Sequence, residues 1–372
     1  MNILMHCVYF PPEVGGLESH VYYLCRALVE RGHRVSVVTS RSIRGLPERE
    51  ILDGIDVWRT WLPARNPLGW TLHAALSTPR LSQLARSADV IHAQAMQSVL
   101  PGYVAKRAAD TPLVATWHTS HFLKRAESRF WRPIFQKLIE WTDYNLAASQ
   151  EIAGVAEGIA PGVSVEALPN GVETSLFQRT APSMVQGDRA RIIVPRRLYE
   201  KNGVEFFVRA MPLIVEQVDA EAVIIGDGPE RTKLEELARS LDMADRIRFL
   251  GARPNSEMPG LLCSGRVAVF PSLMEATSIA ALEAMSCELP VAASRVGGLP
   301  EIVDDTVGAL FEPANPTALA HAVIGLLVRD DLDAVGARAR ERVVNHWSNA
   351  RLTDRHLEIY QAVLDGHRRE AA

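Results

Sequence analysis

Glu275 and Glu283 bracket a junction at which a β-rich run, Arg266 to Phe270, breaks at Pro271. From about Ser278 the chain turns to Ala, Leu and Met at helical spacing. Carboxylates accept hydrogen bonds from hydroxyls, and the open N–H groups at a helix start hold an anion. Together they suit a ligand carrying both hydroxyls and phosphate, such as a sugar joined through a diphosphate to ribose. Two plain alternatives exist. Glu275 could be a first-turn charge favoured by the helix dipole, and Glu283 could lie on a solvated face. The choice turns on what else gathers at the junction.

Polar residues collect after other apolar runs too. The first strand, 2–8, is followed by Pro11-Pro12-Glu13-Val14-Gly15-Gly16, which opens into a helix running from Leu17 to Arg31. Gly15 and Gly16 allow close approach of backbone to a phosphate or sugar, or simply make a tight turn. His118 follows a strand at 113–117, where it could contact a substrate or handle a proton, or be a satisfied structural histidine. His92 is read as structural. After the strand at 191–194 come Arg196, Arg197 and Lys201 within one loop, a cationic clamp suited to a diphosphate. Gly226-Asp227-Gly228 and Gly251-Ala252-Arg253 end two more strands. The first of these is no dinucleotide fingerprint, because Arg231 stands where the third glycine belongs. That argues against hydride transfer.

The elements that must position these residues alternate strand and helix in two series. Strands are predicted at 2–8, 34–39, 55–59, 89–92, 113–117, 144–147 and 164–168. A second series follows at 191–194, 221–226, 246–250, 266–270, 290–293 and 308–311. Helices are predicted at about 203–217, 230–241, 278–287 and 316–328, with a final one from about Ser348 to Leu364. Alternating βα units build mainly parallel sheets, in which ligands bind beyond the carboxyl ends of the strands. The polar, aperiodic stretch at 178–189 separates the series.

With 372 residues, 47% apolar and 23% charged, the chain has room for two ordinary globular domains. Its net charge of -4 implies no general nucleic-acid affinity. The split is 18 basic and 16 acidic residues up to 180, against 22 and 28 beyond it. The mildly positive first half fits contact with a surface or an anionic acceptor. Cys7, Cys25, Cys263 and Cys287 are scattered, which favours reduced thiols and argues against a zinc site. Asp330-Asp331-Leu332-Asp333 is better explained by helix capping than by a metal. The N-terminus lacks a basic n-region and no apolar run is long enough to span a bilayer, so the expected location is cytoplasmic.

These motifs in combination resemble glycosyltransferase family 4, retaining enzymes of GT-B architecture, along essentially the whole chain. The resemblance rests on Arg-Arg-Leu-Tyr-Glu-Lys-Asn-Gly from 196, Ile-Gly-Asp-Gly-Pro-Glu-Arg from 225 and Phe-Leu-Gly-Ala-Arg from 249. It also rests on Glu275 and Glu283 at their spacing, Pro-Val-Ala-Ala-Ser-Arg-Val-Gly-Gly-Leu-Pro-Glu-Ile-Val from 290, the Pro11 to Val21 stretch, His118 and Leu168-Pro-Asn-Gly-Val-Glu. It implies two doubly wound Rossmann-like domains facing a central cleft, 1–180 on the acceptor side and 181–350 binding the nucleotide sugar. A C-terminal helix, 351–372, would cross back to the first domain.

The resemblance further implies roles. Glu275 would hold donor-sugar hydroxyls and Glu283 the ribose hydroxyls. Backbone N–H groups of Thr277, Ser278 and Ile279 would meet sugar and phosphate. Arg197 and Lys201 would neutralise the leaving diphosphate, with Arg196 a substitute for Arg197 because the loop register is ambiguous. Arg253 would present its backbone to the base. Gly15 and Gly16 would close over the donor, and His118 would contact its sugar near the anomeric carbon. No metal and no cofactor beyond the nucleoside-diphosphate sugar is implied. One departure stands out: the family often has Glu-Gly-Phe-Gly where this chain has Glu275-Ala-Thr-Ser278. That puts side chains beside the sugar and leaves donor preference open.

The expected activity is therefore retaining transfer of a sugar to a hydroxyl of a glycan, a lipid-linked molecule or a small molecule. A non-catalytic nucleotide-sugar-binding protein and a GT-B-type epimerase are the alternatives. The stretch 121–141 mixes basic residues with Phe, Trp, Leu and Ile. It could rest on an anionic bilayer at the inner face of the membrane, or be a packed amphipathic helix with a solvated basic face.

Overall fold

The computed structural model describes all residues except Val14, Thr119, Val185, Gln186, Ala276, Thr277 and Ala372, and the side chains of Ser120, His121, Glu370 and Ala371. The chain forms two units, Met1–Asn170 with Asn349–Ala372, and Gly171–Ser348.

In the first unit, eight strands make one sheet: β1 (Asn2–His6), β2 (Arg34–Arg41), β3 (Arg49–Leu52), β4 (Ile55–Trp61), β5 (Val90–Gln94), β6 (Leu113–Trp117), β7 (Tyr144–Ala147) and β8 (Val165–Ala167). Their order is β3-β4-β2-β1-β5-β6-β7-β8, and only β3 pairs antiparallel. The sequence reading did not include β3. Its exposed-and-half-buried alternation carries little apolar signal. The Asp53-Gly54 turn that joins it to β4, with φ of 49° and 81°, was nevertheless a hairpin signature.

The second unit contributes β9 (Ala190–Val194), β10 (Ala220–Ile225), β11 (Ile247–Gly251), β12 (Val267–Phe270), β13 (Val291–Ser294) and β14 (Gly308–Phe311). The order is β11-β10-β9-β12-β13-β14, all parallel. Successive strand residues point to opposite faces, and both faces are covered. Ile192, Val194, Ala222, Ile224, Val267 and Val269 enter one core cluster. Their neighbours Ile193, Val223, Ile225, Ala268 and Phe270 enter another. A sheet buried on both sides needs unbroken apolar runs, which is why its strands were legible.

The units divide at Asn170/Gly171, earlier than the polar stretch at 178–189. The reason is packing. Val172 and Phe177 lie in the second unit's core, the Val172 N–H donates to the Trp347 carbonyl at 2.9 Å, and Ser286 Oγ donates to the Phe177 carbonyl. The last helix, Asn349–Ala371, belongs to the first unit. Its Leu352, Ile359, Tyr360 and Val363 sit in that unit's core. Arg355 grips Glu166 with two bonds of 2.8 Å, holding that carboxyl below its usual range.

The stretch 121–141 is two helices, Ser120–Ala126 and Trp131–Glu140, rather than one. Phe122, Ala126, Phe135 and Ile139 are buried, with Phe130 and Ile134 left outside. Among the described residues no helix is long and apolar enough to cross a membrane.

Candidate functional site

In the second sheet the chain order reverses between the adjacent strands β9 and β12, the position at which open parallel sheets bind ligands beyond the carboxyl ends of their strands. Arg196 follows β9, and Glu275 follows β12. Arg196 Nη2 lies 2.7 Å from Glu275 Oε2, with the side chains only 9% and 18% exposed. The same nitrogen donates to Asn202 Oδ1 and Ser272 Oγ at 2.8 Å, and Nη1 reaches Ser278 Oγ at 3.4 Å. A buried guanidinium is tolerable when a carboxylate and further acceptors surround it. One polar atom, Nε, has no partner among the described residues.

The adjacent Arg197 goes the other way: it is exposed, its guanidinium 5.9 Å from the Tyr199 ring centre. The structure therefore brings Arg196, and not Arg197, to Glu275. Lys201 is exposed in the short turn Glu200–Asn202. Its carbonyl accepts the N–H groups of Leu273 and Met274 at 2.8 and 3.3 Å, so the loop bearing Glu275 hangs from the loop bearing both cations. Ser278 caps the helix Ile279–Ser286 with no side-chain cap hydrogen bond among the described residues, so the N–H groups of Ser278 and Ile279 are available to an anion there. Thr277 lies outside the described residues. Arg253 is exposed after β11, 3.9 Å from Glu257. Its loop is tied to the next by the Gly226 N–H and the Gly251 carbonyl at 2.9 Å.

Two glycines let these loops touch. Gly226 has φ of 147°, and a Cβ there would lie 2.2 Å from the Arg196 carbonyl oxygen. Gly297 has φ of 51°, and a Cβ there would lie 1.6 Å from the Glu275 carbonyl oxygen. Side chains are excluded on both conformational and steric grounds. Asn202, Ser272 and Gly297 thus serve the site although sequence reasoning gave them no role. The Gly297-Gly298 pair was the signal available.

Glu283 lies just past the first turn of the Ile279–Ser286 helix and makes no ion pair among the described residues. Some of its surface stays accessible, yet the surrounding protein strips the carboxyl of enough water to push its pKa up to about 8. Folding therefore takes up a proton at this residue once the pH passes the ordinary carboxylate value of 4.5. Its contribution to stability falls as pH rises from there and levels off above about 8. We expect Glu283→Gln to gain stability relative to the parent across that window, by up to a few kcal/mol. Urea midpoints measured at both ends of the window check this. An identical difference at the two ends would contradict it.

In the first unit β1 lies between β2 and β5, again a point of reversal. Gly15 caps and Gly16 begins the helix Gly16–Glu30 directly after β1. The φ of -177° at Gly15 is ordinary extended backbone, and only the flexible Glu18 carboxylate comes near the space a Cβ would take. One turn into that helix, the His20 ring centre is 5.8 Å from that of His118, which follows β6. The helix that the glycines open thus sets His20, rather than a glycine, beside His118.

His118 is buried and held neutral, its pKa pushed down to about 3 by burial and then by His356. Its Nε2–H donates to Gln94 Oε1 at 2.8 Å, leaving Nδ1 as an acceptor without a partner among the described residues. Gln94, at the end of β5, is a positioning residue that the sequence did not reveal. His92 bonds Tyr360 and Thr116 at 2.7 Å, the structural role expected of it.

Residues 14–176 match the family model described as Glycosyltransferase Family 4, and residues 189–329 match Glycosyl transferases group 1. An uncharacterized glycosyltransferase of Methanocaldococcus jannaschii is 30% identical over 351 residues, covering 87% of this chain and 88% of that protein. A phosphatidylinositol N-acetylglucosaminyltransferase polypeptide of Arabidopsis thaliana is 29% identical, over 87% of this chain and 73% of its own length. N-acetyl-alpha-D-glucosaminyl L-malate synthase of Bacillus anthracis is 26% identical over 95% of both. In fold, a sucrose-phosphate synthase of Thermosynechococcus elongatus superposes with a TM-score of 0.87 at 22% identity, across 98% of this chain and 99% of its own. Two parallel-sheet units with loops gathered at their points of reversal, matched along both halves by these models, make the chain a member of glycosyltransferase family 4, with the GT-B fold.

Proposed function

We propose that the protein transfers N-acetylglucosamine from a nucleoside diphosphate to a hydroxyl acceptor with retention of anomeric configuration and without a metal. The observation that carries this reading is the buried Arg196–Glu275 pair at the open start of the Ile279–Ser286 helix. Breaking the bond between sugar and diphosphate builds negative charge on the leaving oxygen. Arg196, held by its four acceptors, the exposed Lys201 in the adjoining turn and the first-turn N–H groups would supply the cations and dipoles that stabilise it. Such a set can do without a metal ion.

Glu275 is committed to Arg196 and so suits holding sugar hydroxyls better than covalent attack. Glu283 would accept the ribose hydroxyls. His118, neutral with a free Nδ1, would accept a sugar hydroxyl, with Gly15 and Gly16 beside the donor and Arg253 lending its backbone to the base. The departing phosphate would take the acceptor's proton on the face it leaves, which gives retention. The choice of N-acetylglucosamine follows the names of two relatives that differ in acceptor, a phosphatidylinositol and L-malate. The acceptor class here is therefore kept at a hydroxyl on a glycan, a lipid-linked molecule or a small molecule, with 121–141 as the segment that would meet a membrane.

The test pairs binding with stereochemistry. In chelator, a panel of UDP-, GDP- and ADP-sugars should raise the melting temperature most with an N-acetylglucosamine donor, since ligand binding stabilises by mass action. The product from that α-linked donor should show an α anomeric coupling by proton NMR, and intact mass without acceptor should show no sugar adduct on Glu275. A β-linked product would overturn retention. Transfer that needs added magnesium or manganese would overturn metal independence.

A further inference from the structure

Cys263 and Cys287 meet at the end of the second sheet opposite the donor loops, close to Arg266 and Pro290 just before β12 and β13. Cys263 ends the short helix Met258–Leu262, and Cys287 ends the helix Ile279–Ser286 that carries Glu283. Cys263 Sγ lies 4.0 Å from the Cys287 carbonyl oxygen, and both residues line one cavity. That cavity, of about 270 Å³, is also lined by Arg179, Arg266, Glu288 and Asp333; Cys287 is 4% exposed within it, whereas Cys263 is half-buried. We propose that this pair is a reversible oxidation site, with Cys263 the sulfur that reacts with hydrogen peroxide and Cys287 the one that resolves it into a disulfide.

The surroundings differentiate the two sulfurs. The neighbouring Cys287 lowers the Cys263 pKa most, and the Thr180 N–H, which donates to Cys263 Sγ at 3.4 Å, adds to it. Both favour a Cys263 thiolate, enough to outweigh its partial burial, and Arg179 adds to them. Glu288 opposes, but it is paired with Arg179 at 3.1 Å, and Asp333 lies 3.6 Å from Arg266. As a donor, Cys263 has only long contacts among the described residues, to the carbonyls of Gln178 and Cys287 at 3.8 and 4.0 Å. The neighbouring Cys263, and then burial, keep Cys287 a thiol. Reactive cysteines occupy such partly open, donor-rich settings, and inert ones are buried in apolar surroundings. Cys7 and Cys25, fully buried and pushed up by burial, are the internal contrast.

The chemistry balances with peroxide as oxidant. The Cys263 thiolate attacks one peroxide oxygen and the O–O bond breaks. The departing hydroxide takes a proton and leaves as water, and the sulfur, oxidised by two electrons, becomes a sulfenic acid. Cys287 then gives up its proton and attacks that sulfur, the S–S bond forms and the S–O bond breaks, and the second oxygen leaves as water. Two thiols and one peroxide become one disulfide and two waters. A dithiol reverses the step. The disulfide would fasten the end of the helix bearing Glu283, where the Cys287 N–H bonds the Glu283 carbonyl at 3.1 Å.

The full chain is treated with hydrogen peroxide, its remaining thiols are alkylated after denaturation, and its peptides are mapped by mass. The expected result is one linked peptide pair, Cys263 with Cys287, lighter by two hydrogens and split by dithiothreitol. In the folded, untreated protein Cys263 should alkylate at least roughly ten-fold faster than Cys287. Cys287→Ser should leave a sulfenic acid on Cys263 that dimedone captures. Cys263→Ser should leave Cys287 a thiol. A link through Cys7 or Cys25 instead, both cysteines still alkylated after peroxide, or equal oxidation of Cys287 in the Cys263→Ser protein would each overturn the proposal.

Discussion

Arg196→Ala is expected to lower the turnover of sugar transfer by roughly a hundred- to a thousand-fold, the range seen when one preorganised charge-stabilising donor is removed. Arg197→Ala, one residue away, should leave the rate within about two-fold of the parent, because loss of an exposed cation is largely screened. Arg196 is almost completely buried and serves four acceptors, Glu275, Asn202, Ser272 and Ser278. Removing it strands the Glu275 carboxylate, so some loss of stability, about 3 kcal/mol, should accompany the loss of rate.

Arg196→Lys separates the two effects. It keeps the charge but not the planar fork that reaches several acceptors, so it should fold and still lose roughly ten-fold in rate. Rates at saturating donor, with thermal unfolding measured alongside, decide the matter. If the Arg197 variant were the inactive one, the register assigned to this loop would be wrong.

The two arginines show where sequence stopped being sufficient. Their types and their place after an apolar run identified a cationic loop. The strand spacing could not say which one turns inward, since regular alternation ends with β9 at Val194. Inward placement of Arg196 is decided by Ser272 and Glu275, more than seventy residues further along the chain, and by Asn202 in the same loop.

Burial of Glu283 is likewise tertiary: helical spacing put it on the same helix as Ser278, but only packing against neighbouring elements removes its water. Gln94 reaches His118 from the adjacent strand, a contact set by the pairing of β5 with β6, in which Gln94 stands opposite Thr116. The parallel strands were legible because burial on both faces leaves apolar runs. The β3 edge was not, because an exposed strand carries no such constraint. In the site, residue types were readable and their partners were not.

Gly297→Ala is expected to abolish the donor-induced rise in melting temperature and to lower transfer by about a hundred-fold or more, although position 297 carries no functional group. The argument is geometric. An alanine Cβ would lie 1.6 Å from the Glu275 carbonyl oxygen and 2.7 Å from its carbon, distances no real structure sustains. The obstacle is backbone, so no side-chain rotation relieves it, and one of the two loops must move by more than an ångström. The φ of 51° at Gly297 adds about 1 kcal/mol of strain for any other residue.

The loop that gives way carries either Glu275, paired at 2.7 Å with Arg196, or the turn that covers it. A misplacement of about 1 Å is enough to cost roughly a hundred-fold when catalysis depends on fixed charges. Gly325→Ala is the matched control. That glycine lies in the helix Pro316–Leu327, a Cβ there would meet nothing within 4 Å, and alanine is the better helix former by about 1 kcal/mol. It should keep full activity and melt at the same temperature or slightly higher. A folded Gly297→Ala protein that binds donor and turns over like the Gly325→Ala protein would show that contact between these two loops does not set the position of Glu275.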